Sequence, residues 1–355
     1  MTMTRTTSIS SMALMRSNCP LDVLISKKNM KINKLLIASL LLLTIVATAC
    51  GDRRPKSTST RGLARIMCDE SFQSVLEQEI AVFEYQYPEA SIMPEYINEH
   101  DALDSLFRNR VDLIIISHDL TREQKESLKK LGRGYRTKMI AVDAIAVIVN
   151  KQNDIDELSM DDLRDIFTGK VKRWGEVFPT KLKNDTIKVM FDGSGTGVVH
   201  YIKDKFLNGA KFGPNVYARS SSQQVFDAVE EYKNVIGFIG VSWITSDLKS
   251  AEIPIADKYE ELKTKNEVSV IDFTDRIKVM PVRGDEQVQG VKPYQAYISS
   301  GEYPLVRTIW AIDASYNGML DHGFFTFLTG VIGQKIILQT GILPAAEPVR
   351  YVEVQ

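Results

Sequence analysis

Apolar residues recur along this chain in two alternating periods. Leu63 to Met67 reads as a short apolar strand, and Phe72, Val75, Leu76, Ile80 and Phe83 then fall at helical spacing before Tyr87-Pro88-Glu89 stops the run. Ser91 to Tyr96 predicts a second strand, Ala102 to Arg108 a second helix, and Val111 to Ile116 a third strand. That third strand is too continuously apolar to face water, as a buried parallel strand would be. The β-α-β-α-β order predicts an α/β sheet with right-handed crossovers.

Ile140 to Val149 is a longer apolar run, long enough to pass from one lobe into a second. Beyond it, Ser159 is placed to cap a helix carrying Leu163, Ile166 and Phe167. Ile187 to Phe191 predicts a strand, and Val198, Val199, Ile202 and Phe206 an amphipathic helix. A Ser-rich helix entry follows at Arg219 to Gln223, then the apolar Val235 to Gly240, then a Pro/Gly cluster from Pro281 to Pro304. Phe324 to Gln339 predicts one terminal helix, and no internal repeat is visible. The charge run Glu123 to Lys130 reads as a solvated helix face, and Trp174, Trp243 and Trp310 as packing residues.

The first fifty residues follow another logic. Lys31 and Lys34 precede an almost unbroken apolar stretch from Leu35 to Val46, and Ala47-Thr48-Ala49 places small residues before Cys50. This is the layout of a lipoprotein signal, with Cys50 the lipidation site and Met30 a candidate start within a 1–49 signal segment. A membrane anchor is the competing reading, although the run is shorter than the about 20 residues a spanning helix needs. Residues 50–61, rich in Arg, Lys, Ser and Thr, read as a flexible tether. Without residues 1–49 the chain keeps 38 Lys+Arg against 44 Asp+Glu, a net charge of −6 that gives nucleic acid no basic surface. Of three cysteines only Cys50 and Cys68 would remain, too few for a disulfide framework.

The chemistry concentrates at Asp192-Gly193-Ser194-Gly195-Thr196-Gly197, between the strand ending at Phe191 and the helix that follows. Backbone N–H groups at a helix start attract anions, Ser194 and Thr196 add hydroxyl donors, and glycine allows close approach.

Several segments together resemble the phosphate-binding proteins of bacterial phosphate ABC importers, the PstS family. These are Phe167-Thr168-Gly169-Lys170 with Trp174-Gly175, the Asp192-Gly193-Ser194-Gly195-Thr196 loop and Ile236-Gly237-Phe238. Tyr303-Pro304-Leu305 with Arg307, Gly333-Gln334 and Gly341-Ile342-Leu343-Pro344 complete the set, in order from about residue 62 to 346. The resemblance implies a two-lobed type II periplasmic-binding-protein fold, α/β in class, with the ligand in the cleft between lobes. Lobe 1 would comprise 62–145 plus 305–355, and lobe 2 146–304. It further implies a monomeric, extracytoplasmic solute-binding protein that delivers phosphate to the membrane subunits of an ABC permease, without cofactor, metal or turnover. Ser194, Gly195 and Thr196 would be the main ligand contacts, with Ser71, Phe72 and Ser117 opposite them.

This chain departs from the family pattern in one direction. Met190 stands where the family usually has an arginine able to grip phosphate with two hydrogen bonds. The first-lobe loops carry Asp69, Glu70, Glu99, His100, Asp101, His118 and Asp119. Open α/β sheets bind ligands at the carboxyl ends of their strands, so these side chains should line the cleft and repel a dianion. Arg219 or Arg307 could compensate. Two readings remain open: Asp69, Asp101 and Asp119 serve as helix caps, or the ligand is a cation-containing or metal-bridged species. A hydrolase using Ser194 is a third reading, poorly served because the turn lacks the G-x-S-x-G pattern; His200 reads as a surface or cap residue.

Overall fold

The computed structural model describes residues 57–193, 195–246, 253–264 and 272–346. The signal segment, Cys50 and Ser194 lie outside the described residues. Eight strands form the main path of one large mixed sheet: β1 (Gly62–Asp69), β2 (Ala90–Ile97), β3 (Leu113–Ile116), β4 (Arg136–Val149), β5 (Lys188–Phe191), β6 (Val216–Ala218), β7 (Val235–Gly240) and β8 (Val306–Asp313). Their spatial order is β2-β1-β3-β8-β4-β7-β5-β6.

The order contains two parallel blocks. β1 pairs in parallel with β2 and β3, and β5 with β6 and β7. Helix α1 (Gln73–Gln86) connects β1 to β2, and α2 (Glu99–Phe107) connects β2 to β3, as the alternating pattern requires. Antiparallel β8 and β4 join the blocks: Val306 to Asp313 pairs with Arg136 to Ala144, whereas Ile145 to Val149 of the same strand pairs with β7. A single 14-residue strand therefore serves both halves, and from Ala144 to Val149 it is buried throughout. Leu305 accepts a hydrogen bond from the Ile145 amide at 2.8 Å, and the Tyr303 hydroxyl donates to the Ile145 carbonyl at 2.7 Å. These bonds fasten the point where the strand changes partner.

Local signals set most element ends. α3 (Arg122–Lys130) is capped by Thr121 and buries only Leu128, so its charged run faces water. Ser159 caps α4 (Met160–Thr168) by accepting from the Asp162 amide, and Asp162 returns the bond in a capping box. α5 (Gly197–Ile202) continues directly into a π-helical turn, Lys203–Leu207. Ser221 caps α6 (Ser222–Glu231), and α7 (Val241–Ser246) follows β7. No described helix is long and apolar enough to cross a membrane.

Two expectations need correction. Residues 57–61, read as the end of a flexible tether, pack on the body: Thr58 and Arg61 exchange backbone hydrogen bonds at 2.8 and 3.3 Å. The Ser57 hydroxyl also accepts from the Leu320 amide at 3.3 Å. The terminal helix is two, because extended Gly330 (φ −89°, ψ 174°) separates α8 (Leu320–Leu328) from α9 (Val331–Gln339). Periodicity does not reveal this break, since both halves are apolar on compatible faces. Gly333 in the first turn of α9 lies against the end of α8, where an added Cβ would stand 2.4 Å from the Phe327 carbonyl oxygen.

Gly333→Ala should therefore destabilise the fold by about 1–3 kcal/mol, the usual cost of overpacking. Gly134→Ala, whose Cβ would meet nothing within 4 Å, should be near neutral. Urea denaturation of both variants checks this; equal midpoints would contradict the close approach.

Candidate functional site

The loops after β1, β2, β3 and β5 meet at their carboxyl ends, where an open α/β sheet places its ligand. Gly195 and Gly197 make the approach possible. A Cβ on Gly195 would lie 3.3 Å from Asn98 Cβ. One on Gly197 would lie 2.9 Å from Glu99 Oε1, 3.2 Å from Arg307 Nη1 and 3.2 Å from Ser117 Cβ. Any other residue at Gly197 would wedge the two walls apart.

The floor of this cleft is a chain of buried polar groups. Register places Arg307 of β8 opposite Asp143 of β4, and the guanidinium donates from Nε and Nη2 to Asp143 Oδ2 at 3.1 and 2.9 Å. Nη1 donates to Ser71 Oγ at 2.9 Å, and the guanidinium carbon stands 4.3 Å from the Phe72 ring centroid. The Ser71 hydroxyl in turn donates to Asp69 Oδ1, which also accepts from the Ser71 amide at 3.0 Å. Asp69 Oδ2 reaches across and accepts from the Gly197 amide at 3.0 Å. The relay runs Asp143, Arg307, Ser71, Asp69, Gly197, and its first four residues are nearly solvent-free.

Burial and charge move the acids. Asp69 is pushed up to about 7 by burial and by the Glu99 charge, against the pull of Arg307 and the Ser71 hydrogen bond. Half-buried Glu70 is also pushed up to about 7, by burial and then by Asp192 and Asp69. Burial raises Asp143 above the usual carboxylate range, although Arg307 opposes it. Glu99 goes the other way: burial would raise it, but His200, Ser117 and His118 together hold it below its ordinary value. Its Oε1 accepts from the Ser117 amide at 2.5 Å. Its Oε2 is buried without a hydrogen-bond partner among the described residues, with His200 Nδ1 at 3.6 Å and His118 Nε2 at 4.0 Å.

The opposite wall is rich in hydroxyls. The Thr196 hydroxyl donates to Asp192 Oδ1 at 2.8 Å and the Ser222 hydroxyl to Asp192 Oδ2 at 3.0 Å, so both oxygens of this buried acid are occupied. Met190 is packed in the hydrophobic core and contributes nothing polar.

Of the residues singled out from sequence, the structure gathers Asp69, Ser71, Phe72, Glu99, Ser117, Gly195 and Thr196 around this point, with Glu70 and His118 at its edge. Three others turn away. His100 and Asp101 are exposed and paired with each other at 3.5 Å. Asp119 binds Lys125 at 2.5 Å and its neighbour's amide, facing α3. The capping reading holds for Asp69, which caps the short 3₁₀ turn Glu70–Phe72. It fails for Asp101 and Asp119, since Asn98 caps α2 and Thr121 caps α3. Arg219 is exposed, whereas Arg307 lies at the centre. Asp143, Ser222 and the His200 contact escaped the sequence reading. His200 stands four residues after Thr196, and that one-turn spacing was the available signal. Among the described residues, no group of three or more His, Cys, Asp or Glu side chains is arranged to hold a metal ion.

Residues 55–330 match the family described as the PBP superfamily domain, and the chain belongs to that superfamily. The phosphate-binding protein PstS of Bacillus subtilis is 25% identical over 336 residues, which span 90% of this chain and 96% of that protein. A phosphate-bound protein from Clostridium perfringens superposes with a TM-score of 0.62 at 21% identity, covering 80% of this chain and 100% of that one. An ABC-type phosphate transport receptor from Vibrio cholerae gives 0.55 at 16% identity, with 80% and 100% covered. The fold is the two-lobed, type II-like architecture of periplasmic binding proteins.

Arg307→Met should destabilise the protein by about 3–5 kcal/mol, because it leaves Asp143 buried without its cation. The loss should be larger at pH 8 than at pH 5: an unpaired buried Asp143 must take up a proton to stay folded, and protons are scarcer at pH 8. Urea denaturation at both pH values tests this, and an equal loss at both would contradict it.

Proposed function

We propose that this chain is the solute-binding protein of an ABC importer for inorganic phosphate, held outside the cytoplasm by a lipid on Cys50. The observation that carries the reading is the pairing of two walls. The Gly197 end of the turn meets the buried Arg307 guanidinium, and its amide donates to Asp69, which Ser71 orients, in a chain collinear with a phosphate-binding protein over nearly its whole length. In this reading Ser194, Gly195 and Thr196 hold the ligand from lobe 2 (146–304). Ser71, Phe72 and Ser117 hold it from lobe 1 (62–145 plus 305–355). Arg307 supplies the cation that Met190 cannot.

The protein acts as a monomer without cofactor or turnover. Lobe closure is the state the permease subunits recognise, and the crossing strand at Ile145 with Leu305 is the hinge. A second reading, the same fold with a different ligand, is favoured by the carboxylates Asp69, Glu70, Glu99 and Asp192 around the cleft. The hydrolase reading draws no support from the relatives, whose names describe binding and transport.

Thermal shift of residues 51–355 with phosphate, sulfate and divalent metal ions, separately and combined, separates these readings. Phosphate at about a hundred times its Kd adds roughly 2.7 kcal/mol of stability. Ser194→Ala should weaken phosphate binding by about tenfold, the loss of one hydrogen bond to a charged group, and Thr196→Val should weaken it by freeing Asp192 Oδ1 beside the ligand. No response to millimolar phosphate would end the phosphate reading, and stabilisation by metal alone would favour the second.

A further inference from the structure

The geometry points to His200 as a proton-dependent clasp between the two walls of the cleft, making closure on an anion favoured by acid. His200 is on α5, in the block that carries the hydroxyl turn, and Glu99 opens α2 in the opposite block. Glu99 is almost solvent-free at its side chain (2%), and its Oε2 has no hydrogen-bond partner among the described residues. The His200 ring, 46% exposed, stands 3.6 Å from that oxygen. A charged imidazolium there compensates a buried carboxylate oxygen that otherwise has lost its water. A neutral imidazole does so far less well.

The surrounding groups act in the same sense or cancel. The groups acting on His200 are Glu99 from α2, Asp69 at the end of β1 and Lys203 just beyond its own helix, while His118 from the loop after β3 stands 4.0 Å from the same Glu99 oxygen. Contact with Glu99 raises His200 above its ordinary value, with burial and Lys203 opposing. The His200 shift makes closure take up a proton. A raised histidine stabilises the closed form below its unperturbed value, and that contribution is lost as pH rises through its raised value.

His118 is the internal contrast. It lies 4.0 Å from the same Glu99 oxygen, but both follow strands of the same parallel block. Opening the cleft does not separate them, so this contact does not distinguish open from closed. His200 reaches the same Glu99 oxygen from the other side of the cleft.

The affinity arm of the test rests on the phosphate reading above, and the shape arm does not. Phosphate Kd is measured by calorimetry at pH 6, 7 and 8 for the wild type, His200→Gln, Glu99→Gln and His118→Gln, so that the titration of phosphate itself cancels between proteins. His200→Gln should bind as the wild type does at pH 8 and roughly fivefold more weakly at pH 6, the lower end of usual coupling. Glu99→Gln should flatten the profile in the same way, and His118→Gln should keep it. In parallel, small-angle scattering of the ligand-free protein should show the wild type more compact at pH 6 than at pH 8, and His200→Gln less so. Parallel wild-type and His200→Gln profiles in both measurements overturn the clasp. If no phosphate binds at any pH but compaction still depends on His200, the phosphate reading falls and the clasp stands.

Discussion

The arrangement of the cleft depends on one buried guanidinium. Arg307 is 5% exposed, and one acid, Asp143 on β4, and one hydroxyl, Ser71 in the turn after β1, take up its charge. An ion pair taken out of water adds little net stability, because desolvation consumes most of the Coulomb gain. What the Arg307–Asp143 pair gives is position. The planar fork holds Asp143 on one side and Ser71 on the other, and stacking on Phe72 fixes its plane. Ser71 is then oriented to donate to Asp69, which accepts the Gly197 amide.

That chain of bonds joins the two parallel blocks, which the antiparallel strands β4 and β8 also link. Asp143 and Arg307 belong to those strands, within two residues of Ile145 and Leu305, where β4 changes partner. The Arg307–Asp143 pair is thus anchored on the two strands that the blocks share. Gly197 and Thr196, by contrast, reach the cleft from a turn at the end of a single strand, and their bonds to Asp69 and Asp192 are the ones an opening motion would break or keep.

Local signals were readable and non-local ones were not. Ser159 was legible as a cap because the pattern of a hydroxyl with an acid three residues on is contained in four positions. Asp101 and Asp119 were misassigned for a related reason. Asn98 and Thr121 compete for the same role a few residues away, and backbone geometry decides between them. Arg307 could be named but not placed, since its contact with Asp143 follows from the register of strands more than 160 positions apart. The break at Gly330 escaped because apolar periodicity continues through it. The α/β order needed only the alternation of periods, which folding cannot satisfy in many other ways.

The acidity of the first-lobe loops illustrates the same limit in electrostatic terms. A count of Asp69, Glu70, Glu99, His100, Asp101, His118 and Asp119 suggests a cleft hostile to anions. Geometry removes His100, Asp101 and Asp119 by turning them outward, and Arg307 cancels Asp143. Two unit charges 4 Å apart interact by about 4 kcal/mol at an effective dielectric constant of 20, so one carboxylate more or fewer decides whether an anion is tolerated. Asp69 and Glu70 are both pushed up to about 7, which leaves a proton on each for much of the time near neutral pH. Of Asp69, Glu70 and Glu99 at the cleft, Glu99 is then the one held below its ordinary value by its neighbours, and it is the one that faces two imidazoles. The charge presented to a ligand is therefore set by protons and by register rather than by the number of acidic residues in the loops.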